Sequence, residues 1–421
     1  PAGPGGVTVQ GAAAPAEAAS ARPPAQRVQI ETPRLLGAIN ARGARLDDLT
    51  LRDYRETLDR NSPLVRLLAP RDTREPYFVQ WGWTAADGRT RVPDGETDWQ
   101  VEGGPLAPGG TVTLRWDNEA GVTFEIALSV DENFLFRAEQ RVINRTGEPV
   151  SVLPWSRIRR EVTPQVEGFF ILHEGFVGVI DGRLQEWTYS QLRDEANRRR
   201  GLRDEAERVR AAFEGTGGNS WAGFADKYWL TALIGDGPRP MRYAFRHIRD
   251  GAADRWQVDM ATPEPVTIPA GETGSLGSRI FAGAKEVLLL DAYRDRYGIT
   301  DFDKAVDFGW FYFLTKPFFY ALHWLAEVTG NMGVAILLFT LIIKIIFFPL
   351  ANKSYQSMSR MKLLAPKMQE IKERYKDDPQ KAQAEMMALY RAEKVNPASG
   401  CLPILIQIPV FFALYKVLFV T

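Results

Sequence analysis

The chain has 421 residues, 52 Lys+Arg against 52 Asp+Glu, and 45% hydrophobic residues. That length allows two or three domains, and overall neutrality argues against a global nucleic-acid footprint. Cys401 is the single cysteine and His173, His247 and His323 lie far apart, which excludes an internal disulfide framework and argues against a structural zinc site; no cofactor and no metal are expected.

Residues 1–27, opening PAGPGGVTVQGAAAPAEAASARPPAQ, are too rich in Ala, Gly and Pro to bury a core and read as a flexible linker. No secretory signal precedes it and an apolar run ends at Thr421, so both ends are expected to be fragment boundaries. From 28 to 290 the pattern has period two. TVTLRW (111–116) alternates Val112, Leu114 and Trp116 with polar neighbours. VTFEIALSV (122–130) aligns Val122, Phe124, Ile126, Leu128 and Val130, and DNEAG (117–121) joins the two runs as a hairpin loop. Turn signals recur at 87, 103 and 144, and the whole predicts a large antiparallel β-sandwich.

QLRDEANRRRGLRDEAERVRAAF (191–213) carries charges at helical spacing and predicts a helix. Its arginines are interleaved with Asp and Glu, a solvated face in preference to an anion patch. Glu174 follows His173, but neighbours on a strand face opposite ways and cannot share an acid–base site. No Walker-type loop occurs. No catalytic constellation is visible, so an enzyme is not expected.

Three apolar segments follow. The stretch 307–328 is dense in aromatics, nine of the twenty-one residues from 308 to 328. At 100° per residue Lys316, His323 and Glu327 fall within about 40° of one another, beside Tyr312 and Tyr320. An amphipathic helix lying in the membrane interface fits this pattern better than a span. Residues 333–351 and 401–420 are each long enough to cross a hydrocarbon core of about 30 Å. Between them, 352–397 carries ten Lys/Arg and six Asp/Glu, so it is placed on the cytoplasmic side and the sandwich outside. Met358, Met361, Leu364, Met368, Ile371 and Tyr375 form one helical seam. Asp378-Pro379 opens a second helix, with Ala382, Met386 and Leu389 on its seam and Asn396-Pro397 at its end. The result is a helical hairpin, with Pro366 as a candidate break from the preceding span. Methionines adapt to varied partners, and Met358, Met361, Met368, Met386 and Met387 are candidates both for the dry seam and for capture of apolar segments.

The run LIIKIIFFPLANKSYQSMSRMKLLAPKMQEIKERYKDDPQKAQAEMMALYRAEKVNPASGCLPILIQIPVFFALY resembles the YidC family of membrane-protein insertases. Its portion EMMALYRAEKVNPASGCLPILIQIPVFFALY carries the most specific likeness, and DFGWFYFLTKPFF (307–319) resembles that family's interfacial helix. The resemblance implies a multidomain membrane protein. A periplasmic antiparallel β-sandwich is followed by an interfacial helix, transmembrane helices and a cytoplasmic helical hairpin. It further implies a bacterial inner-membrane location and a groove open to cytoplasm and lipid. Implied partners are nascent membrane proteins, the lipid bilayer, a Sec translocon with its accessory subunits, and the ribosome, with no direct nucleic-acid contact. Family members of this type carry an anchor before the linker and further spans beyond the point matching Thr421, and the groove cation is usually arginine where this chain has Lys344.

Lys344 sits inside the apolar run VAILLFTLIIKIIFFPL (334–350). An ammonium at a helix centre costs roughly 2.5–3.5 kcal/mol on insertion scales. Lys344 lies about 10 Å from Ala351 and Gln407 about 9 Å from Cys401, at 1.5 Å per residue, so the two match in depth. Thr340 stands one turn from Lys344 on the same face. A hydrated inner-leaflet pocket lined by Lys344, Thr340 and Gln407 is the expected substrate groove, with Ile408, Pro409 and Phe411 as its apolar wall; snorkelling of Lys344 is the competing reading. Lys416, near the outer end, is expected to snorkel. Two rival functions stay open: a membrane-anchored periplasmic carbohydrate-binding or mutarotase-like protein, favoured by a sugar-lined cleft with convergent acid and base groups, and a transporter or channel, which needs a water path through both leaflets and a polar line along the outer half of 333–344, apolar apart from Thr340.

Overall fold

The computed structural model describes residues 23–166, 172–200, 209–251, 253–393 and 402–420. The chain divides into two compact units, 1–306 and 307–421.

The first unit is built on two antiparallel sheets. One has ten strands, eight of them in the order Arg27–Glu31, Leu35–Asn40, Arg45–Arg55, Tyr77–Ala85, Val150–Arg160, Ala253–Ala261, Met241–Asp250 and Val209–Gly217. The other has nine, running Arg183–Trp187, Gly175–Ile180, Trp221–Ala225, Trp229–Gly235, Thr273–Ala284, Leu135–Asn144, Val122–Val130, Val112–Asp117 and Gln100–Glu102. The expected hairpin is present, with Val112 opposite Leu128, Leu114 opposite Ile126 and Trp116 opposite Phe124. Asn118 Oδ1 closes its loop by accepting the N–H groups of Ala120 and Val122 at 2.9 Å each, and Gly121 supplies the left-handed φ of 84° that the turn requires.

Aromatic rings fill the space between strands. Phe176 contacts Phe224 at 4.6 Å and Phe245 at 5.2 Å between centroids, and Tyr189 meets Trp256 at 5.0 Å. Trp81, Trp221 and Trp256 are among the side chains fully withdrawn from solvent. Arg160 is buried among these rings, its guanidinium 4.1 Å above Tyr77 and its Nη2 2.5 Å from Asp226 Oδ2.

Helix α1, Tyr189–Arg200, opens with a reciprocal cap. Gln191 N donates to Thr188 Oγ1 at 3.2 Å while Thr188 N donates to Gln191 Oε1 at 3.0 Å. The helix expected across 191–213 is therefore shorter. From Val209 the chain is strand, with Phe213 opposite Phe245 across the ladder; residues 201–208 lie outside the described residues. Ladder pairing against an aromatic partner overrides the helical charge pattern there. His173 and Glu174 are likewise not on a strand: they precede Gly175–Ile180 in irregular backbone, where His173 Nε2 bonds Phe176 O at 2.8 Å. Off a strand, the two side chains are not constrained to opposite faces. Helix α2, Val287–Tyr297, and a 3-10 turn, Phe302–Ala305, close the unit.

The second unit is helical: α3 Tyr312–Thr329, α4 Met332–Arg374, α5 Pro379–Ala392 and α6 Leu402–Val420. Asn331 caps α4 by accepting Val334 N, and Asp378 caps α5 by accepting Lys381 N, with Pro379 in the first turn. The candidate break at Pro366 is absent, since α4 runs unbroken through Pro349 and Pro366. Proline removes one backbone donor, and packing on either side of Pro366, by Leu364 and Met368, carries the helix past it. α4 is long and apolar enough to cross a membrane by length and composition.

Candidate functional site

α3 is the element on which α4 and α6 both pack. Its inner face buries Thr315, Phe318, Phe319, Leu322 and Leu325. Its outer face exposes Trp310, just ahead of the helix, then Phe313, Tyr320, Trp324 and Val328, which step by three, seven, four and four residues along one side. The polar stripe read from the sequence is knitted together: His323 Nε2 stands 3.3 Å from a Glu327 oxygen, and Lys316 lies 5.5 Å from the Tyr312 ring centre.

Between α3, α4 and α6 opens a cleft of about 430 Å3. Its lining includes Lys344, Thr340, Gln407 and Phe411, together with Phe318, Phe339, Ile343, Phe347, Phe348, Tyr355, Val410 and Leu414. Lys344 and Gln407, matched in depth, and Thr340, one turn from Lys344, thus share one concavity with the aromatic Phe411. Thr340 Oγ1 donates to Ile336 O at 2.8 Å, so its donor is spent on its own helix and its lone pairs remain for the cleft. The Lys344 and Gln407 side chains are exposed. Phe318 and Phe339 meet edge-to-face at 5.0 Å on one wall. Ile408 and Pro409 are absent from the lining; Ile408 is exposed one turn before Phe411, and Pro409 is half-buried. The aromatic wall was not foreseen, yet a signal was present, since Thr340, Ile343, Phe347 and Ala351 recur at helical spacing around Lys344.

The hairpin places α4 against α5. Met361, Met368 and Met386 are half-buried in its seam, while Met358 and Met387 are exposed. Tyr390 Oη contacts Met368 Sδ at 3.3 Å, and Lys367 bridges to Glu393 at 3.0 Å. Asn396, Pro397 and Cys401 lie outside the described residues.

Lys416 departs from expectation. Its Nζ stands 2.8 Å from Asp307 Oδ2, and the lysine side chain is only 10% exposed. It is an ion-paired residue packed under the segment leading into α3, where snorkelling was expected.

In the first unit a second cleft, of about 390 Å3, is lined by Gly109–Thr111, Ser129–Asp131, Leu135–Arg137, Arg279 and Tyr297. Its one lining carboxylate, Asp131, accepts the Tyr293 hydroxyl. Two guanidiniums and one occupied carboxylate do not make the paired acid and base of sugar chemistry. Among the described residues no group of three or more His, Cys, Asp or Glu could hold a metal.

Comparison with known proteins gives two family matches. Residues 27–321 match the family model described as YidC periplasmic domain, and 324–421 match that of 60Kd inner membrane protein. The junction of the two matches falls inside α3, whereas the compact units meet at 306/307. The membrane protein insertase YidC of Granulibacter bethesdensis is 49% identical over 96% of this chain, and that of Acidiphilium cryptum 47% over 95%. The chain spans 69% and 66% of those two proteins. A crystal structure of an active YidC insertase with its first transmembrane domain resolved aligns at 18% identity and a TM-score of 0.28, covering 94% of this chain and 74% of that one.

Proposed function

The chain belongs to the YidC family of membrane protein insertases, inner membrane proteins with a periplasmic domain, and from that premise we propose that it moves nascent apolar segments from the cytoplasm into the inner membrane along the cleft between α3, α4 and α6. The observation that carries this reading is the meeting of Lys344, Thr340, Gln407 and Phe411 in one concavity. The first part of α4 and α6 cross the bilayer, α3 lies at the outer interface with its aromatic face in lipid, and the positively charged α4–α5 hairpin is cytoplasmic. The exposed Met358 and Met387, with Met361, Met368 and Met386 behind them, give the hairpin an adaptable surface for first capture of a segment.

The segment then slides along Phe411 and Ile408 while its polar outer flank passes through the wet cleft beside Lys344. Water around the lysine thins the apolar barrier locally. Apolar burial of about 25 cal/mol per Å2 and a membrane potential worth about 2.3 kcal/mol per charge per 100 mV supply the drive without nucleotide. Ribosomes deliver the segment, and a Sec translocon with its accessory subunits works alongside.

Site-specific photo-crosslinking of a stalled nascent segment tests this path. A photoreactive side chain at Phe411 captures the segment several-fold more than one at Leu405, which is exposed about 120° round α6 from Phe411 and absent from the cleft lining. Equal capture at both positions contradicts the path.

A further inference from the structure

α6 poses a physical problem that its composition leaves open. LPILIQIPVFFALYKVLFV is apolar on every side, and Lys416 is its only residue charged at neutral pH. A helix hydrophobic all round has no stripe to fix its rotation about its own axis in lipid. Rotation matters, because a turn of one residue, about 100°, swings Gln407 out of the cleft.

The Asp307–Lys416 contact answers it. Beyond the 2.8 Å ion pair, Asp307 Oδ1 accepts Gly309 N–H at 2.9 Å, so the carboxylate is held in a tight turn. Gly309 adopts φ 72° and lies against the lysine stem; a Cβ there would stand 3.0 Å from Lys416 Cε. Phe308, in the same strap, packs edge-to-face on Phe319 of α3 at 6.2 Å, which anchors the turn. Nine residues separate Gln407 from Lys416, placing the two side chains about 180° apart around α6.

We propose that the Asp307–Lys416 ion pair is a rotational key for α6, holding it from behind so that Gln407, Phe411 and Leu414 face Lys344 across the cleft. Both are positioning residues, acting through α6. Fixing register is the best-attested use of a buried ion pair, and low-dielectric surroundings strengthen its attraction. The proposal rests on the reading of α6 as a membrane helix bordering the substrate path.

Nitroxide side chains placed singly along 404–415 of the intact chain in lipid vesicles, in a Cys401→Ser background, report oxygen exposure at each position. The parent shows a wave of period about 3.6 residues, with minima at the buried Val410 and Ala413. Asp307→Asn and Lys416→Met each shift that wave by about one residue, 100°, or flatten it. Lys416→Arg keeps its phase, which a loss of folding would not. An unchanged wave in both single variants, or a shifted wave in Lys416→Arg, overturns the key alone. A parent with no wave overturns the membrane reading of α6 together with it.

Discussion

Lys344→Ala lowers the insertion of substrates with acidic outer tails by about tenfold while substrates with neutral tails lose less than about twofold. The asymmetry follows from the character of the site. Lys344 is a point charge on a flexible stem, exposed in a cleft shared with Gln407 and Thr340. Two unit charges 4 Å apart attract by about 1 kcal/mol in bulk water and about 4 kcal/mol at an effective dielectric constant of 20. A wet cleft lies between those limits, and about 1.4 kcal/mol corresponds to tenfold. A neutral tail gains only the hydration of the cleft, which Thr340 and Gln407 help to keep. Lys344→Arg retains insertion of both classes, because the attraction needs a cation and no bidentate geometry. The measurement is protease protection of radiolabelled substrates in vesicles. Equal loss for both tail classes would assign the lysine to snorkelling and folding.

Asp226→Ala destabilises the first unit by about 3 kcal/mol, the lower end of the range for removing one partner of a buried ion pair. Arg160 sits between Tyr77 and Phe224, with its Nη1 donating to Tyr189 Oη at 3.2 Å. Burial alone would lower its pKa; the Asp226 carboxylate overrides that and holds it well above the ordinary arginine value. Deleting the carboxylate leaves the guanidinium charged and unpaired among aromatic rings. The lower end applies because the Asp226 side chain keeps 24% of its exposure and part of its hydration. The double variant Asp226→Ala with Arg160→Met recovers most of the loss, since it removes the stranded charge as well. Urea unfolding followed by tryptophan fluorescence reads this as a lowered midpoint with an unchanged slope. A double variant no better than Asp226→Ala would show that the pair contributes more than mutual neutralisation.

The legible parts of this chain are those where a periodic pattern meets a single environment. The hairpin from Val112 to Val130 could be read residue by residue because one face meets the core throughout. The Asp378-Pro379 cap is a local rule and appears as expected, as does the seam from Met361 onward, while Met358 at its start is exposed. Lys344 and Gln407 can be matched by depth, which follows helix rise, and Thr340 by its place one turn from Lys344; all three line the cleft. What sequence could not supply depends on contacts between distant segments. Arg157 reads as a surface residue, yet it is 5% exposed, and its Nε and Nη2 donate to Gln80 Oε1 at 3.0 and 2.6 Å. Burial, reinforced by neighbouring Arg159, pushes its pKa down to about 9. Nothing in SVLPWSRIRR says that both faces of that strand are covered. The same holds for Lys416, whose carboxylate partner lies 109 positions earlier, and for residues 209–213, where a ladder partner decides against a helix.

The role given to Lys344 depends on water entering the cleft from one side of the membrane. Gln407→Cys, in a Cys401→Ser background that keeps Lys344, tests this directly with a membrane-impermeant maleimide. Labelling is expected when the reagent is added at the cytoplasmic face and none when it is added at the periplasmic face. Labelling from neither side would mean that acyl chains fill the cleft, labelling from both would mean a pore, and either result contradicts a cleft wet from the cytoplasm alone.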